Sequence, residues 1–89
     1  MNREPFGDEQ LKFPLDCHYR IITESVAGIE DELAATLRLL GFDSKVEPGN
    51  RSKGGKYLTF YVDLHIESHE NMDAVDRALR NIAGVRMVL

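Results

Sequence analysis

From Tyr57 to Glu67 the chain alternates without a break. Leu58, Phe60, Val62, Leu64 and Ile66 fall on one side, and Tyr57, Thr59, Tyr61, Asp63, His65 and Glu67 on the other. Strand side chains point alternately to opposite faces, so this period predicts a strand with one apolar and one polar face. Such a strand belongs at the centre of an antiparallel sheet covered on one side only. A weaker alternation marks an earlier strand over Cys17–Thr23. Cys17, Tyr19 and Ile21 point inward, and His18, Arg20 and Ile22 outward. Ile22 is the one apolar residue on the wrong side of that pattern.

Two stretches switch to helical spacing. Ile29, Leu33, Leu37 and Leu40 form one stripe, with Glu30, Asp31 and Glu32 where carboxylates complement the positive end of a helix. Ser25 is the expected N-cap and Gly41 the expected stop. Met72, Val75, Leu79 and Ile82 form the second stripe, capped by Ser68 and ended by Ala83-Gly84. Asp43–Glu47, carrying Val46, reads as a short strand, and Pro48, which cannot donate to a ladder, belongs at an edge or just beyond it. Gly49–Lys56 (GNRSKGGK) reads as a turn-rich basic loop. Val85–Leu89 reads as a final strand with Val85, Met87 and Leu89 on one face. The order is β-α-β-β-α-β. The economical packing is α+β, a ferredoxin-like plait with a four-stranded antiparallel sheet and two helices on one face. Right-handed crossovers put the first and third strands at the centre and the second and fourth at the edges.

Eighty-nine residues accommodate one core, and a chain of this size buries roughly 60–65% of its unfolded surface. Residues 1–12 lack apolar anchors and read as a flexible lead-in to one domain over 13–89, with Phe13-Pro14 opening the fold and Phe13 over a core edge. The net charge of −4 suits solubility and not broad binding to phosphate backbones. Cys17 is the sole cysteine, so no intramolecular disulfide forms and a reducing cytoplasm is the expected setting. No apolar run is long enough to span a membrane.

Chemistry-bearing groups are few. Arg51, Lys53 and Lys56 lie beside Gly54 and Gly55, a loop that could hold an anion where glycines let the backbone approach. It is not a P-loop, because Gly55 stands where lysine is needed and a strand follows instead of a helix. Tyr57 and Tyr61 on the polar face, with Arg20 and His18 nearby, suggest base stacking by an RNA-binding sheet. Asp63 and Glu67 on that face argue against a polyanion. His18, His65, Asp63 and Glu67 would approach a metal-binding set only in a favourable register. Exposure without a ligand is the plainer reading. Cys17 faces inward without a base and reads as a small apolar residue. The junction after the first strand, Thr23-Glu24-Ser25-Val26-Ala27-Gly28, lacks the arginine and the glycine-rich loop of an acylphosphatase. No catalytic residue, metal or cofactor is expected.

Three separated segments resemble one family. They are Phe13-Pro14 followed by Tyr19-Arg20-Ile21-Ile22, Ser52-Lys53-Gly54 followed by Tyr57-Leu58-Thr59, and Val85-Arg86-Met87-Val88-Leu89. Their order and spacing resemble the YbeD-like family of small bacterial proteins, a domain family of unknown function. The resemblance covers about Lys12 to Leu89. It implies a ferredoxin-like fold close to ACT regulatory domains, a cytoplasmic protein and no established activity. Gly49, Asn50 and Arg51 lengthen the loop relative to the family pattern, and Gly55-Lys56 replaces a lone asparagine. The expected function is a non-enzymatic regulatory or binding domain, with an RNA-binding module as the alternative. Ser52, Lys53, Gly54, Lys56, Tyr57 and Tyr61 are the expected contact residues. The expected partner is a protein or small molecule, not nucleic acid or membrane, and the chain itself a monomer or weak homodimer.

Overall fold

The computed structural model describes residues 11–89, so most of the lead-in expected over 1–12 lies outside the described residues. Alternation in the first strand and in the long strand dictates the frame. Strand β1 (Leu15–Glu24) and strand β3 (Tyr57–Ile66) pair antiparallel along their full length, from Leu15 opposite Ile66 to Glu24 opposite Tyr57. Helix α1 (Ile29–Leu39) and strand β2 (Glu47–Arg51) lie between them in sequence. Helix α2 (His69–Arg80) and strand β4 (Val85–Val88) follow. The sheet order β2-β3-β1-β4 puts the two alternating strands at the centre, the split βαβ plait that the element order predicts. Ile21, Val62, Leu64 and Ile66 from the sheet share one core with Leu33 and Leu37 of α1 and Val75 and Leu79 of α2. Each of these is nearly inaccessible to solvent. Phe13 packs on the core edge, its ring edge-on to His69 at 6.3 Å.

Ser68 caps α2 as its sequence position implies. Its hydroxyl oxygen accepts from the Asn71 backbone N–H at 3.0 Å, while the Asn71 side-chain oxygen accepts from Glu67 N–H at 3.1 Å. This exchange resembles a capping box and satisfies donors that the helix itself leaves free. Helix α1 is different. Its N-cap is Gly28, at φ 79°, and no side chain caps it. Ser25 sits three residues too early, and its N–H bonds Lys56 C=O across the sheet end. At the other end, Gly41 takes φ 95° and the stop matches expectation. Its N–H reaches Arg38 C=O and that of Phe42 reaches Leu37 C=O, both at 3.0 Å, which is the Schellman pattern.

Both edge strands depart from the sequence reading. The second strand does not run over Asp43–Glu47; it pairs from Glu47 to Arg51, with Val46 buried just ahead of it. Pro48, Gly49 and Asn50 carry turn chemistry, but an edge strand tolerates proline, and the register shift between Pro48 and Arg51 absorbs the rest. The basic loop therefore shrinks to the turn after Arg51. In β4, Met87 and Leu89 do not share a face with Val85. A register shift against β1 sets Ile22 opposite Met87 and Thr23 opposite Val85, leaving Arg86 as the extra residue. Past that bulge the faces exchange, so Val88 is buried while Met87 and Leu89 remain 45% and 52% exposed.

The two serines separate by their effect on stability. Ser68→Ala should cost about 1 kcal/mol in urea denaturation, whereas Ser25→Ala should stay within about 0.5 kcal/mol.

Candidate functional site

The turn between β2 and β3 is built by Ser52. Its hydroxyl accepts from Tyr57 N–H and its own N–H donates to Tyr57 C=O, each at 2.9 Å, while its C=O accepts from Gly55 N–H at 2.8 Å. These bonds close a short 3-10 turn over Lys53–Gly55. Gly54 at φ 86° supplies the left-handed residue that the closure needs. Lys53 and Lys56 project into solvent, and the Lys56 ammonium lies 5.5 Å from the centre of the Tyr57 ring, within cation–π range. Five of the six expected contact residues, Ser52, Lys53, Gly54, Lys56 and Tyr57, thus occupy one turn. Ser52 and Gly54 shape it, and the lysines and the tyrosine face outward.

Tyr61 stands apart. It shares the helix-free face with Tyr57 but lies four residues on, about 13 Å along the strand. Its neighbours are set by the register. Arg20 lies directly opposite on β1, and Leu89 opposite Arg20 on the far side, joined by reciprocal backbone bonds of 3.0 and 2.8 Å. Glu47 flanks Tyr61 on β2. The next row holds Thr59, Ile22 and Met87. The middle of the open face is therefore an apolar and aromatic patch around one arginine, whose guanidinium has no ion-pair partner among the described residues. Beside Tyr61, a groove of about 330 Å³ is lined by Ser44, Lys45, Glu47 and Asp63. The Tyr61 ring lies over Gly49, where an added Cβ would fall 2.4 Å from a ring carbon.

The far end of the face is polar and paired. His18 lies opposite Asp63, with ring Nδ1 2.5 Å from the carboxylate, and His65 opposite Asp16, at 2.7 Å. His65 Nε2 also lies 3.5 Å from Glu67. The register thus gives each imidazole a carboxylate and does not bring the two imidazoles together on one ion. Among the described residues, no group of three or more His, Cys, Asp or Glu is arranged for a metal. Hydrogen bonding to Asp63 raises the His18 pKa, and hydrogen bonding to Asp16 raises that of His65. Cys17 turns to the helix side. Burial, and then the Asp16 charge, push its thiol pKa up, the direction that disfavours a thiolate nucleophile.

Some of this face escaped the sequence reading. The alternation of the last strand groups Met87 and Leu89 with Val85, and only the β4 bulge separates them and puts them here. The reciprocal His–Asp pairs did have a signal, because Asp16-Cys17-His18 and Asp63-Leu64-His65 spell the same D-x-H. Two such triplets on paired antiparallel strands confront acid with imidazole twice.

Comparison with known proteins agrees on the fold. A family profile described as "Protein of unknown function (DUF493)" matches residues 8–89. A UPF0250 protein of Pseudomonas entomophila is 29% identical over 94 residues, and one from Pseudomonas putida is 28% identical, each alignment covering all of both chains. Among solved structures, the solution structure of protein HP0495 from H. pylori superimposes with a TM-score of 0.76 at 19% identity, over 100% of this chain and 98% of that one. The ACT domain from GTP pyrophosphokinase of Chlorobium tepidum superimposes with a TM-score of 0.66 at 15% identity, over 84% and 95%.

Two measurements check the site geometry. In an NMR titration both imidazoles should titrate above the ordinary value of 6.5. Asp63→Asn should lower His18 alone, whereas Asp16→Asn should lower chiefly His65, with a smaller drop at His18 through the lost charge. Because the folded pKa values are raised, the stabilisation from these exposed pairs is complete below pH 6.5 and fades as pH climbs through the folded values. Separately, Gly49→Ala should displace the Tyr61 ring, read as altered ring-proton shifts at Tyr61 with the His18 and His65 signals unmoved.

Proposed function

We propose that this chain, which belongs to the DUF493 family of proteins of unknown function, is a non-enzymatic regulatory domain that docks a protein partner through its open sheet face and basic turn. One observation carries this reading. Tyr61, Met87 and Leu89 are 43%, 45% and 52% exposed around Arg20, which has no ion-pair partner among the described residues, on a side that none of the described helices covers. Tyrosine, methionine and arginine are the residue types that concentrate at protein interfaces, with tyrosine and arginine dominating their energetic centres. Lys53, Lys56 and Tyr57 extend the patch to a cationic rim, on the turn that Ser52 and Gly54 hold in shape. The groove beside Tyr61 would accept a single partner side chain. Breadth without depth suits a protein surface better than a small molecule, which favours a concavity.

Carboxylates around the face, at Asp16, Glu24, Glu47, Asp63 and Glu67, support a protein over a nucleic acid by repelling phosphates. The raised thiol of Cys17 disfavours a thiolate nucleophile and so supports a binding role over catalysis. A cytoplasmic setting fits the lone thiol. No helix among the described residues is long and apolar enough to cross a membrane. The fold neighbour named as an ACT domain of GTP pyrophosphokinase supports a regulatory role by analogy of fold.

The test places a photo-crosslinking side chain at Tyr61, at Lys53 or at Glu30 on the outer face of α1, in cells. Adducts to a common protein should form several-fold more from Tyr61 and Lys53 than from Glu30. Arg20→Glu in the Tyr61-labelled chain should reduce that adduct by about tenfold or more. Equal yields from all three positions, or adducts chiefly from Glu30, would overturn the reading.

A further inference from the structure

Strand β4 and Leu89 after it pair with β1 only as far as Arg20. The last rung between them joins Arg20 and Leu89. From Tyr19 back to Leu15, β1 is paired with β3 on one side and, among the described residues, has no strand on the other. Backbone groups alternate in direction along a strand. Arg20 presents its N–H and C=O to β4, so His18 and Asp16 present theirs to the same, unoccupied side. Neither has a backbone partner there among the described residues. Below this edge, on the helix side, Cys17, Tyr19, Met72 and Val88 line a groove of about 370 Å³. Burial pushes the Tyr19 phenol up to about 12, so it stays neutral there. A bare strand edge over an apolar groove is a template for one more strand.

We propose that the strand is contributed by a second copy of this chain, pairing antiparallel with Leu15–Tyr19 about a twofold axis through Cys17. The register follows by elimination. Centring the axis on Asp16 would set that carboxylate against its own copy and place Pro14, which has no N–H, opposite His18. Centring it on His18 would require an edge at Arg20 that β4 already occupies. An axis between residues would mismatch the backbone directions. With Cys17 on the axis, Asp16 pairs with His18 of the partner subunit and His18 with Asp16 of the partner subunit, closing four backbone hydrogen bonds.

Charge agrees with this register. Within one chain Asp63 faces His18, and Asp16 faces His65. Across the axis, one row reads Asp63, His18, then Asp16 of the partner subunit and His65 of the partner subunit. The second row is its symmetric copy. Acid and imidazole alternate through both rows, an arrangement favoured for directly opposed residues and self-complementary as a twofold interface requires. On the helix side, Leu15 of the partner subunit meets Tyr19 at the groove. The two acids on the groove rim are already engaged, Asp73 by His69 at 3.3 Å and Asp76 by Arg80 at 2.9 Å. They therefore oppose the approach of a second α2 less than bare carboxylates would. Five residues from each copy make a small interface, so the dimer is weak and concentration-dependent.

The experiment uses the full chain in sedimentation equilibrium up to about 1 mM, with thiol crosslinking by diamide in parallel. Cys17 would face its copy in a non-hydrogen-bonded pair with Cα atoms about 4.5 Å apart, within disulfide range. A reversible dimer and a Cys17-linked dimer are expected. Asp16→Lys should weaken association by about tenfold or more. The double variant Asp16→Lys/His18→Glu, which again opposes unlike charges across the axis, should restore it, with circular dichroism confirming the fold of both. A chain that stays monomeric and yields no Cys17-linked dimer would overturn the proposal. So would a dimer indifferent to Asp16→Lys.

Discussion

The antiparallel ladder between the two central strands constrains everything else in the molecule. Its ten consecutive pairs contain no slip, so the side on which each residue of both strands lies is fixed at once. Moving the register by a single residue would carry Val62, Leu64 and Ile66 into solvent and Tyr61, Asp63 and His65 against the helices. Burial of the apolar set therefore holds the polar set in place. The placement of Tyr61 beside Arg20, and of each histidine beside an aspartate, is inherited from core packing and does not depend on the exposed contacts themselves. Those contacts contribute little energy on a wet surface, but their geometry is set by residues that contribute a great deal.

The elements that could be read from the sequence are those specified more than once. In β3, period, composition and length agree. In α2, Ser68 and the apolar stripe agree, although the helix closes at Asn81, three residues ahead of the expected stop at Ala83-Gly84. Where a single signal stood alone, the reading drifted. Ser25 looks like a cap, yet the chain needs three more residues, ending in a left-handed glycine, to turn from the sheet onto its face. Gly49-Asn50 looks like a turn, because a bulged edge strand and a loop share the same chemistry. The face of β4 could not be read because one unpaired residue, Arg86, reverses the alternation, and nothing local announces a bulge. Within the site, the lysines, Gly54 and both tyrosines were legible as outward or turn-forming groups. The part played by Ser52 in closing the turn on Tyr57, and the meeting of Tyr61 with Arg20 and Leu89, depend on pairings between distant segments.

The open face that results is graded along its length. At one end, carboxylates and imidazoles are hydrogen-bonded in pairs. The middle is apolar and aromatic around a single guanidinium. At the other end, two lysines stand on a turn whose backbone is tied to itself. Arg86 reaches Glu24 at 3.2 Å on this side and keeps that carboxylate engaged near the cationic end. A partner complementary to all three zones would fit such a surface in only one direction of approach.

The bare α-carbon of Gly49 beneath the Tyr61 phenol has a mechanical consequence. With no side chain between them, the ring is bedded on the main chain of the sheet's outermost strand and must follow that strand when it shifts. Strand β2 is also the least anchored of the four, solvent-exposed along its whole length. A contact made at that border would thus be transmitted to the middle of the sheet as a tilt of one aromatic plane, without any rearrangement of the interior.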